Sequence, residues 1–237
     1  GLGLPAGVFN LVSCPGALIG EKLSSHPEVD MVSITGSTGA GVRVSQAAAS
    51  TVKKVALELG GKSAFLIVEG ADLDVALPNA VRGCFVNNGQ TCAATTRLIV
   101  PNEMIEEIEK RVAELVNAFT IGNPLDPEVD LGPVASAAQH KIVSDYIDIG
   151  MAEGTLIAGG PGSPEGLDQG YFVKPTVFSR VDPKARVAQE EIFGPVLAII
   201  GYDGLDQGIE FANDSEFGLS GAVFAADIPT AVSVAKQ

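Results

Sequence analysis

Short runs of apolar residues alternate along the chain with stretches whose apolar positions recur at the spacing of an α-helix. Seven apolar runs predict β-strands, at residues 8–12, 31–34, 55–59, 64–68, 172–178, 196–200 and 222–225. Strands that alternate with helical patterns are typical of parallel sheets with crossover connections. The pattern therefore predicts α/β architecture.

Predicted helices cover residues 15–23 and 42–49, a stretch from Asp72 towards Phe85, a stretch after Pro101, and residues 229–237. Asp72 is a good N-cap because its carboxylate can accept a hydrogen bond from a free N–H of the first turn. The stretch after Pro101 is the most clearly amphipathic, since its apolar residues fall on one face and its glutamates on the other. Residues 122–133 and 159–170 are rich in Gly, Pro or Asp and predict surface loops.

The composition narrows the class of protein. The chain has 237 residues, of which 46% are hydrophobic, enough for one large or two ordinary globular domains. Its net charge of −14, from 15 basic and 29 acidic residues, excludes a nucleic-acid binder. No apolar run approaches the roughly 18–20 residues that a membrane span needs. Three cysteines exclude a disulfide scaffold, and we expect a cytoplasmic protein.

The charge is unevenly distributed. Residues 1–58 carry no net charge, so the remaining residues carry all of it. A neutral first quarter can hold an anionic ligand through its backbone dipoles. Because the chain starts without Met and stops inside a predicted helix, we expect it to be a piece of a longer protein.

A glycine-rich turn at residues 35–41 follows a predicted strand and opens a predicted helix. Its glycines Gly36, Gly39 and Gly41 do not have the common Rossmann spacing. Such a turn can present free N–H groups to a phosphate without obstruction by a Cβ atom. An ordinary tight connection between strand and helix is an equally good interpretation of the motif alone.

A carboxylate ends the next predicted strand. Glu58 is followed by Leu59, two glycines and Lys62. Its position at the end of a strand that we expect to be buried suits a general base. An ion pair with Lys62 is the simpler interpretation.

Cys92 lies in a glycine-containing turn between a predicted helix and a strand. A cysteine in such a turn is accessible enough to be a nucleophile. Cys14 and Cys84 stand among apolar residues and are expected to be small core residues. No cysteines and histidines show zinc-ligand spacing, so we predict no metal site.

The fourth motif covers residues 189–195 and precedes an apolar run. Glu191 and Phe193 could belong to an ordinary helix end. A carboxylate beside an aromatic ring could also hold a ribose hydroxyl and a flat ring.

These four motifs, taken in this order, resemble those of the NAD(P)-dependent aldehyde dehydrogenase superfamily. The resemblance runs along essentially the whole chain and includes shorter matches at residues 7–10, 123–125, 131–133 and 217–220. It implies an aldehyde dehydrogenase-like fold and an aldehyde as substrate. Chains of this superfamily are about twice as long, so the resemblance identifies a central fragment whose parent protein is a homodimer or homotetramer.

The resemblance also implies a role for each motif. Cys92 matches the nucleophile that attacks the aldehyde carbonyl, and its backbone N–H the donor to the oxyanion. Glu58 matches the general base that activates water. Cofactor contacts fall on the turn and helix start at Gly36, Ser37 and Gly41, on Leu59 after the base, and on Glu191 and Phe193 at the nicotinamide ribose and ring.

The implied reaction oxidises an aldehyde to a carboxylic acid, with hydride transfer to NAD or NADP. A thiohemiacetal forms on Cys92, becomes a thioester, and is hydrolysed. The presence of Glu58 favours hydrolysis over acyl transfer to coenzyme A. The residues that most influence the choice between NAD and NADP precede residue 1 in the superfamily.

Two other functions stay open at this point. The chain could be a catalytically incompetent piece, or a relative with a binding or structural role. It could also be a cysteine hydrolase or esterase that uses no nicotinamide. If the chain is part of an aldehyde dehydrogenase, residues 1–59 complete a Rossmann-like dinucleotide-binding domain and residues 60–237 form an incomplete α/β catalytic domain.

Overall fold

The computed structural model describes residues 3–237, so the first two residues of the predicted first domain lie outside the described residues. The chain divides into two compact units, Gly1–Gly60 and Gly61–Gln237. In the first unit, strands β1 (Met31–Thr35) and β2 (Lys54–Glu58) pair in parallel. Helices α1 (Gly16–Ser25) and α2 (Thr38–Ala49) accompany them.

The second unit is built on a mixed sheet. Its strands are β3 (Ala64–Ile67), β4 (Arg97–Pro101), β5 (Thr155–Ala158), β6 (Thr176–Ser179), β7 (Val196–Tyr202) and β8 (Gly221–Phe224). Its α-helices are α3 (Leu73–Phe85), α4 (Ile105–Asn117), α5 (Ala137–Glu153), α6 (Arg186–Gln189), α7 (Leu205–Asn213) and α8 (Ile228–Ala235). Short 3-10 turns follow α3 at Val86–Gly89 and precede α4 at Asn102–Met104. The strand order is β5-β6-β7-β4-β3-β8, parallel except between β5 and β6.

Apolar side chains cover both faces of this sheet. Phe65 and Ile67 of β3 point into one core, which α3 and α4 close, while Ala64 and Leu66 point into another, against α5 and α8. Successive side chains of a strand point to opposite faces. A strand covered on both sides is therefore apolar at every position, which is why these strands are continuous apolar runs in the sequence.

The prediction of α/β architecture is confirmed. The predicted N-cap is also present, because the Asp72 carboxylate accepts a hydrogen bond from the Asp74 N–H at 2.9 Å. The amphipathic stretch after Pro101 forms α4, with Ile108 and Val112 fully buried on its apolar face.

Two strand predictions need correction. Residues 8–12 form no strand, because no neighbouring strand in the described part of the chain supplies their hydrogen bonds, and their apolar side chains are largely exposed. The strand predicted at 172–178 begins only at Thr176. Pro175 has no N–H to donate, and the pairing with β7 starts with the next residue.

Two burial predictions also fail. Cys14 is exposed rather than part of a core, because it belongs to the irregular segment ahead of α1, whose side chains lie at the surface. The strand that ends at Glu58 is only partly covered, since β1 is the one strand beside it within the described first unit. Glu58 itself is exposed.

No helix within residues 3–237 combines the length and the apolar character needed to cross a membrane. The same part of the chain holds no group of three or more His, Cys, Asp or Glu side chains placed to bind a metal ion.

Candidate active site

The glycine-rich turn and the Glu58 motif come together in the first unit. Because β1 and β2 pair in parallel, with Thr35 beside Glu58, both strands end at the same edge. The Gly36 N–H donates a hydrogen bond to the Glu58 carbonyl at 3.0 Å. The structure therefore places the start of the turn directly against the backbone of the candidate base.

Gly41 and Leu59 form a close packing contact in the same unit. A Cβ atom on Gly41 would lie 2.7 Å from a terminal carbon of the Leu59 side chain. Gly41 is buried, so its lack of a side chain is what allows α2 to approach the residue after Glu58. Both residues position the helix start.

The start of α2 suits an anionic group. Ser37 caps the helix, with its hydroxyl accepting a hydrogen bond from the Ala40 N–H at 3.3 Å. The N–H groups of Thr38 and Gly39 have no intrahelical acceptor, as at every helix start. A Cβ atom on Gly39 would meet nothing within 4 Å, so the approach to these donors is open. Free amides at the positive end of a helix dipole are the usual donors to a pyrophosphate.

In the second unit, Cys92 follows a tightly constrained loop. Asn87 and Asn88 both adopt the left-handed conformation, with φ of 53° and 57°. Gly89 follows with φ of 68°, and a Cβ atom there would lie 2.2 Å from the Gly194 carbonyl oxygen. Asparagine and glycine are the residues that accept such backbone angles at least cost.

Side-chain amides then fix this loop to the segment that follows Leu131. The Asn88 side chain donates to the Pro133 carbonyl at 3.2 Å, and the Ala135 N–H donates to the Gln90 side chain at 3.0 Å. Cys92 is half-buried, and its own N–H has no acceptor among the described residues. A thiol on a fixed loop, beside a free backbone donor, is an arrangement suited to attack on a carbonyl carbon.

The other two cysteines are unsuited to this role. Cys84 is fully buried, and its thiol donates to the Val196 carbonyl at 3.6 Å. Burial raises the pKa of the Cys84 thiol to about 12, which keeps it protonated at neutral pH. Cys14 lies in the exposed segment described above.

Gly61 connects Cys92 with Glu191. The Gly61 N–H donates to the Glu191 carboxylate at 3.2 Å, across 130 residues of sequence. A Cβ atom on Gly61 would lie only 2.5 Å from the Cys92 carbonyl oxygen. One glycine therefore holds the carboxylate and allows the nucleophile loop to approach.

Phe193 is held in a conformation unusual for its residue type. Its φ is 55°, in the left-handed region, and its side chain remains 39% exposed. The Gln139 side chain donates to the carbonyls of Ile192 and Phe193, at 2.9 Å each. A non-glycine residue in this region is strained, and here neighbouring groups maintain it. An aromatic ring is thus presented at the surface, two residues after Glu191.

Lys62 was not expected to be a buried residue. It is 1% exposed, and its ammonium group has no hydrogen-bond partner in the described part of the chain. Burial lowers the pKa of Lys62 to about 7, although the negative charges of Glu191 and Glu190 oppose the shift and the positive charge of Arg97 adds to it. The only signal in the sequence was its position after two glycines and two residues before a buried strand.

Arg97 fastens this region to α7. Its guanidinium donates to the Lys62 carbonyl at 2.8 Å and to the carbonyls of Phe211 and Ala212 at 2.7 and 2.8 Å. Arg97 is itself almost fully buried. The backbone at Gly61 and Lys62 is therefore held by two hydrogen bonds, one to the Glu191 carboxylate and one from the Arg97 guanidinium.

The structure thus gathers the predicted site residues in two groups. Gly36, Ser37, Gly41, Glu58 and Leu59 surround the start of α2 in the first unit. Cys92, Glu191 and Phe193 belong to one connected region of the second unit, through Gly61, Gly89 and Gly194.

Comparison with known proteins gives a consistent result. The model of the aldehyde dehydrogenase family matches residues 1–237. The chain is 48% identical to 3-succinoylsemialdehyde-pyridine dehydrogenase from Pseudomonas sp, over 100% of this chain and 50% of the relative. It is 46% identical to geranial dehydrogenase from Castellaniella defragrans, over 99% of this chain and 48% of the relative.

A solved structure matches this chain over nearly its whole length. It is a mutant of aldehyde dehydrogenase C from Pseudomonas syringae, in complex with NAD+ and octanal. The TM-score is 0.97 at 45% identity, covering 99% of this chain and 48% of that one. The expectation of an aldehyde dehydrogenase-like fold is confirmed, and the chain spans about half the length of the relatives it matches.

Proposed function

The chain belongs to the aldehyde dehydrogenase family, and on that premise we propose that the whole protein oxidises an aldehyde to a carboxylic acid with NAD+ or NADP+. The observation that carries the proposal is the region around Gly61, where the Cys92 loop and the Glu191 carboxylate meet one glycine. The NAD+ and octanal bound to the related Pseudomonas syringae enzyme support the cofactor and the substrate class.

In each unit, the candidate residues have chemistry that suits one part of a dinucleotide. The open, amide-rich start of α2, with Ser37 as its cap, would hold the pyrophosphate. Glu191 would accept hydrogen bonds from the nicotinamide ribose through the oxygen that Gly61 leaves free, and Phe193 would contact the ring. When bound, the nicotinamide supplies the hydride acceptor of the reaction.

Cys92 acts as the nucleophile in this proposal. Its thiolate adds to the aldehyde carbon, and the Cys92 N–H donates to the oxygen that becomes negatively charged. That N–H has no other acceptor among the described residues, so it is available at the moment when charge develops. The constraints at Asn87, Asn88 and Gly89 keep the thiol in place without reorganisation.

Glu58 acts as the general base for the second half of the reaction. Its exposed carboxylate is accessible to water, from which it removes a proton as the thioester on Cys92 is hydrolysed. The backbone at Glu58 is fixed by the hydrogen bond from Gly36.

Replacing Glu58 with Gln is expected to stop turnover after the first half-reaction. The amide keeps the size of the side chain but cannot take a proton from water, so the thioester accumulates. Stopped-flow measurement of reduced nicotinamide should show a retained burst and a steady rate lower by roughly 10²- to 10⁴-fold. A Glu58→Gln variant with an unchanged steady rate would remove Glu58 from the mechanism, and Glu69→Gln, at another exposed carboxylate, is the matched control.

Replacing Gly61 with Ala is expected to impair catalysis through geometry alone. The added methyl group must displace the Cys92 carbonyl, and a shift of about 1 Å in a reacting group can lower the rate on the order of 10²-fold. Gly20→Ala is the control, because a Cβ atom there meets nothing within 4 Å. A folded Gly61→Ala protein with the kcat/KM of the wild type would show that this close approach is unimportant.

The assignment of function is tested by assaying the whole protein with a panel of aldehydes and each dinucleotide, following reduced nicotinamide. We expect aldehyde-dependent reduction of NAD+ or NADP+ and formation of one carboxylic acid per hydride. Ester hydrolysis without any dehydrogenase activity would favour a cysteine hydrolase instead.

Three related assignments belong to the same proposal. Residues 1–59 would be the C-terminal part of the dinucleotide-binding domain, and residues 60–237 part of the catalytic domain. The whole protein would be cytoplasmic and would form a homodimer or homotetramer. Light scattering of the purified protein would test the oligomeric state.

A further inference from the structure

One face of α5 holds the segment from Glu190 to Gly194. Gln139, Val143 and Tyr146 are spaced four and three residues apart and so share this face. Gln139 donates to the Ile192 and Phe193 carbonyls, and Val143 fills the space where Gly194 lacks a side chain, 2.3 Å from an added Cβ atom. The Tyr146 hydroxyl donates to the Glu190 carboxylate.

The contact between Tyr146 and Glu190 differs from the others because it involves a charge. Arg186 donates to both oxygens of Glu190, at 2.8 Å each, and its guanidinium lies 5.4 Å from the centre of the Tyr146 ring. These hydrogen bonds, first from Arg186 and then from Tyr146, lower the pKa of Glu190 to about 2. The carboxylate is therefore ionised at neutral pH, and hydrogen bonds to ionised groups are the stronger ones.

Arg186 is the first residue of α6 and Glu190 directly follows this helix, so their ion pair lies within one short segment. The one contact of Arg186 with α5 described above is that of its guanidinium with the Tyr146 ring, which lacks the direction of a hydrogen bond. Tyr146 belongs to α5 and provides, among the described residues, the one side-chain hydrogen bond from Glu190 to another element. The residue after Glu190 is Glu191, whose carboxylate accepts a hydrogen bond from the Gly61 N–H.

We propose that Tyr146 is a positioning residue for dinucleotide binding, which acts through Glu190 to hold Glu191 and Phe193 in place. This inference rests on the proposed function, because it requires Glu191 and Phe193 to contact the dinucleotide. Without the Tyr146 hydroxyl, Glu190 keeps its pair with Arg186 but loses its hydrogen bond to α5. The segment then becomes more mobile, and the dinucleotide must order it on binding.

The test compares Tyr146→Phe with Tyr171→Phe in the whole protein. Tyr171 is exposed, and within residues 3–237 its hydroxyl makes no hydrogen bond, so it is a matched control. Calorimetric titration with NAD+ or NADP+, whichever the wild type uses, should give a Kd roughly tenfold higher for Tyr146→Phe only. At saturating dinucleotide, kcat should stay within about twofold of the wild type, because Cys92 is untouched.

Hydrogen exchange in the dinucleotide-free protein tests whether Tyr146 orders this segment, independently of whether the segment binds a dinucleotide. We expect faster exchange of the amides of residues 190–194 in Tyr146→Phe and no change in Tyr171→Phe. Unchanged exchange together with an unchanged Kd would overturn the positioning role of Tyr146. Faster exchange with an unchanged Kd would overturn the assignment of Glu191 and Phe193 to the dinucleotide, and with it the inference.

Discussion

Replacing Cys92 with serine is expected to abolish aldehyde-dependent reduction of NAD+ or NADP+ by the whole protein. Serine has nearly the size of cysteine, so the loop keeps its left-handed turns and its hydrogen bonds. Its hydroxyl is a far weaker nucleophile than a thiolate, and no new base is created to activate it. We expect a loss of kcat on the order of 10⁴-fold, with dinucleotide affinity unchanged.

The control for this variant is Cys14→Ser. Cys14 is exposed and lies in the irregular segment ahead of α1, so the change should leave kcat as in the wild type. Cys84 is a poorer control, because a hydroxyl there would be buried in the core. Substantial turnover by Cys92→Ser would mean that another group attacks the aldehyde.

Replacing Lys62 with Met is expected to change how the stability of the protein depends on pH. Met fills a similar volume and needs no hydrogen bond, whereas the Lys62 ammonium is buried without one among the described residues. Burial lowers the pKa of Lys62 from 10.5 to about 7 in the folded chain. Between these values the unfolded chain binds more protons than the folded one, so the free energy of unfolding of the wild type rises with pH.

The variant lacks this contribution. Below about pH 7 the lysine is charged in both states, and the full cost of its burial makes Lys62→Met the more stable protein. That advantage should shrink above pH 7, by at most roughly 1.4 kcal/mol per pH unit. Urea unfolding at about pH 6 and about pH 9 measures it, with Lys110→Met, an exposed lysine on α4, as the control. An advantage that is the same at both values would show that Lys62 does not titrate in this range.

Much of the fold could be predicted from the sequence because the six-stranded sheet of the second unit is covered on both sides. Strands such as β3 and β7 are apolar at nearly every position, and the helix starting after Asp72 has its cap in the sequence. The wrong strand at residues 8–12 has the same apolar pattern. A pattern of side chains does not reveal whether a neighbouring strand exists to complete the hydrogen bonds.

Two further features of the strands depend on local effects that the pattern of apolar residues does not show. Strand β5 (Thr155–Ala158) follows α5 after a single glycine and is only four residues long, so it left no pattern of its own. The late start of β6 follows from Pro175, whose missing N–H matters only once the neighbouring strand is known.

For the candidate site, residue types could be predicted but their connections could not. The motifs singled out Cys92 and Glu191, but not their shared contact with Gly61. Gly61 and Glu191 are 130 residues apart in the sequence, and only the folded backbone brings them together. The burial of Lys62 was equally hidden, because a lysine side chain is usually exposed and nothing local in the sequence indicates that the fold covers it. Long-range contacts of this kind arise from topology, which single motifs do not encode.

Trapping the acyl group on the protein tests the central claim most directly. The Glu58→Gln variant of the whole protein would be mixed with an aldehyde substrate and the dinucleotide, quenched in acid and digested, and its peptides analysed by mass spectrometry. We predict an added mass equal to the acyl group on the peptide that contains Cys92, dependent on the dinucleotide. An acyl group on another residue, or reduced nicotinamide formed with Cys92 unmodified, would contradict the account.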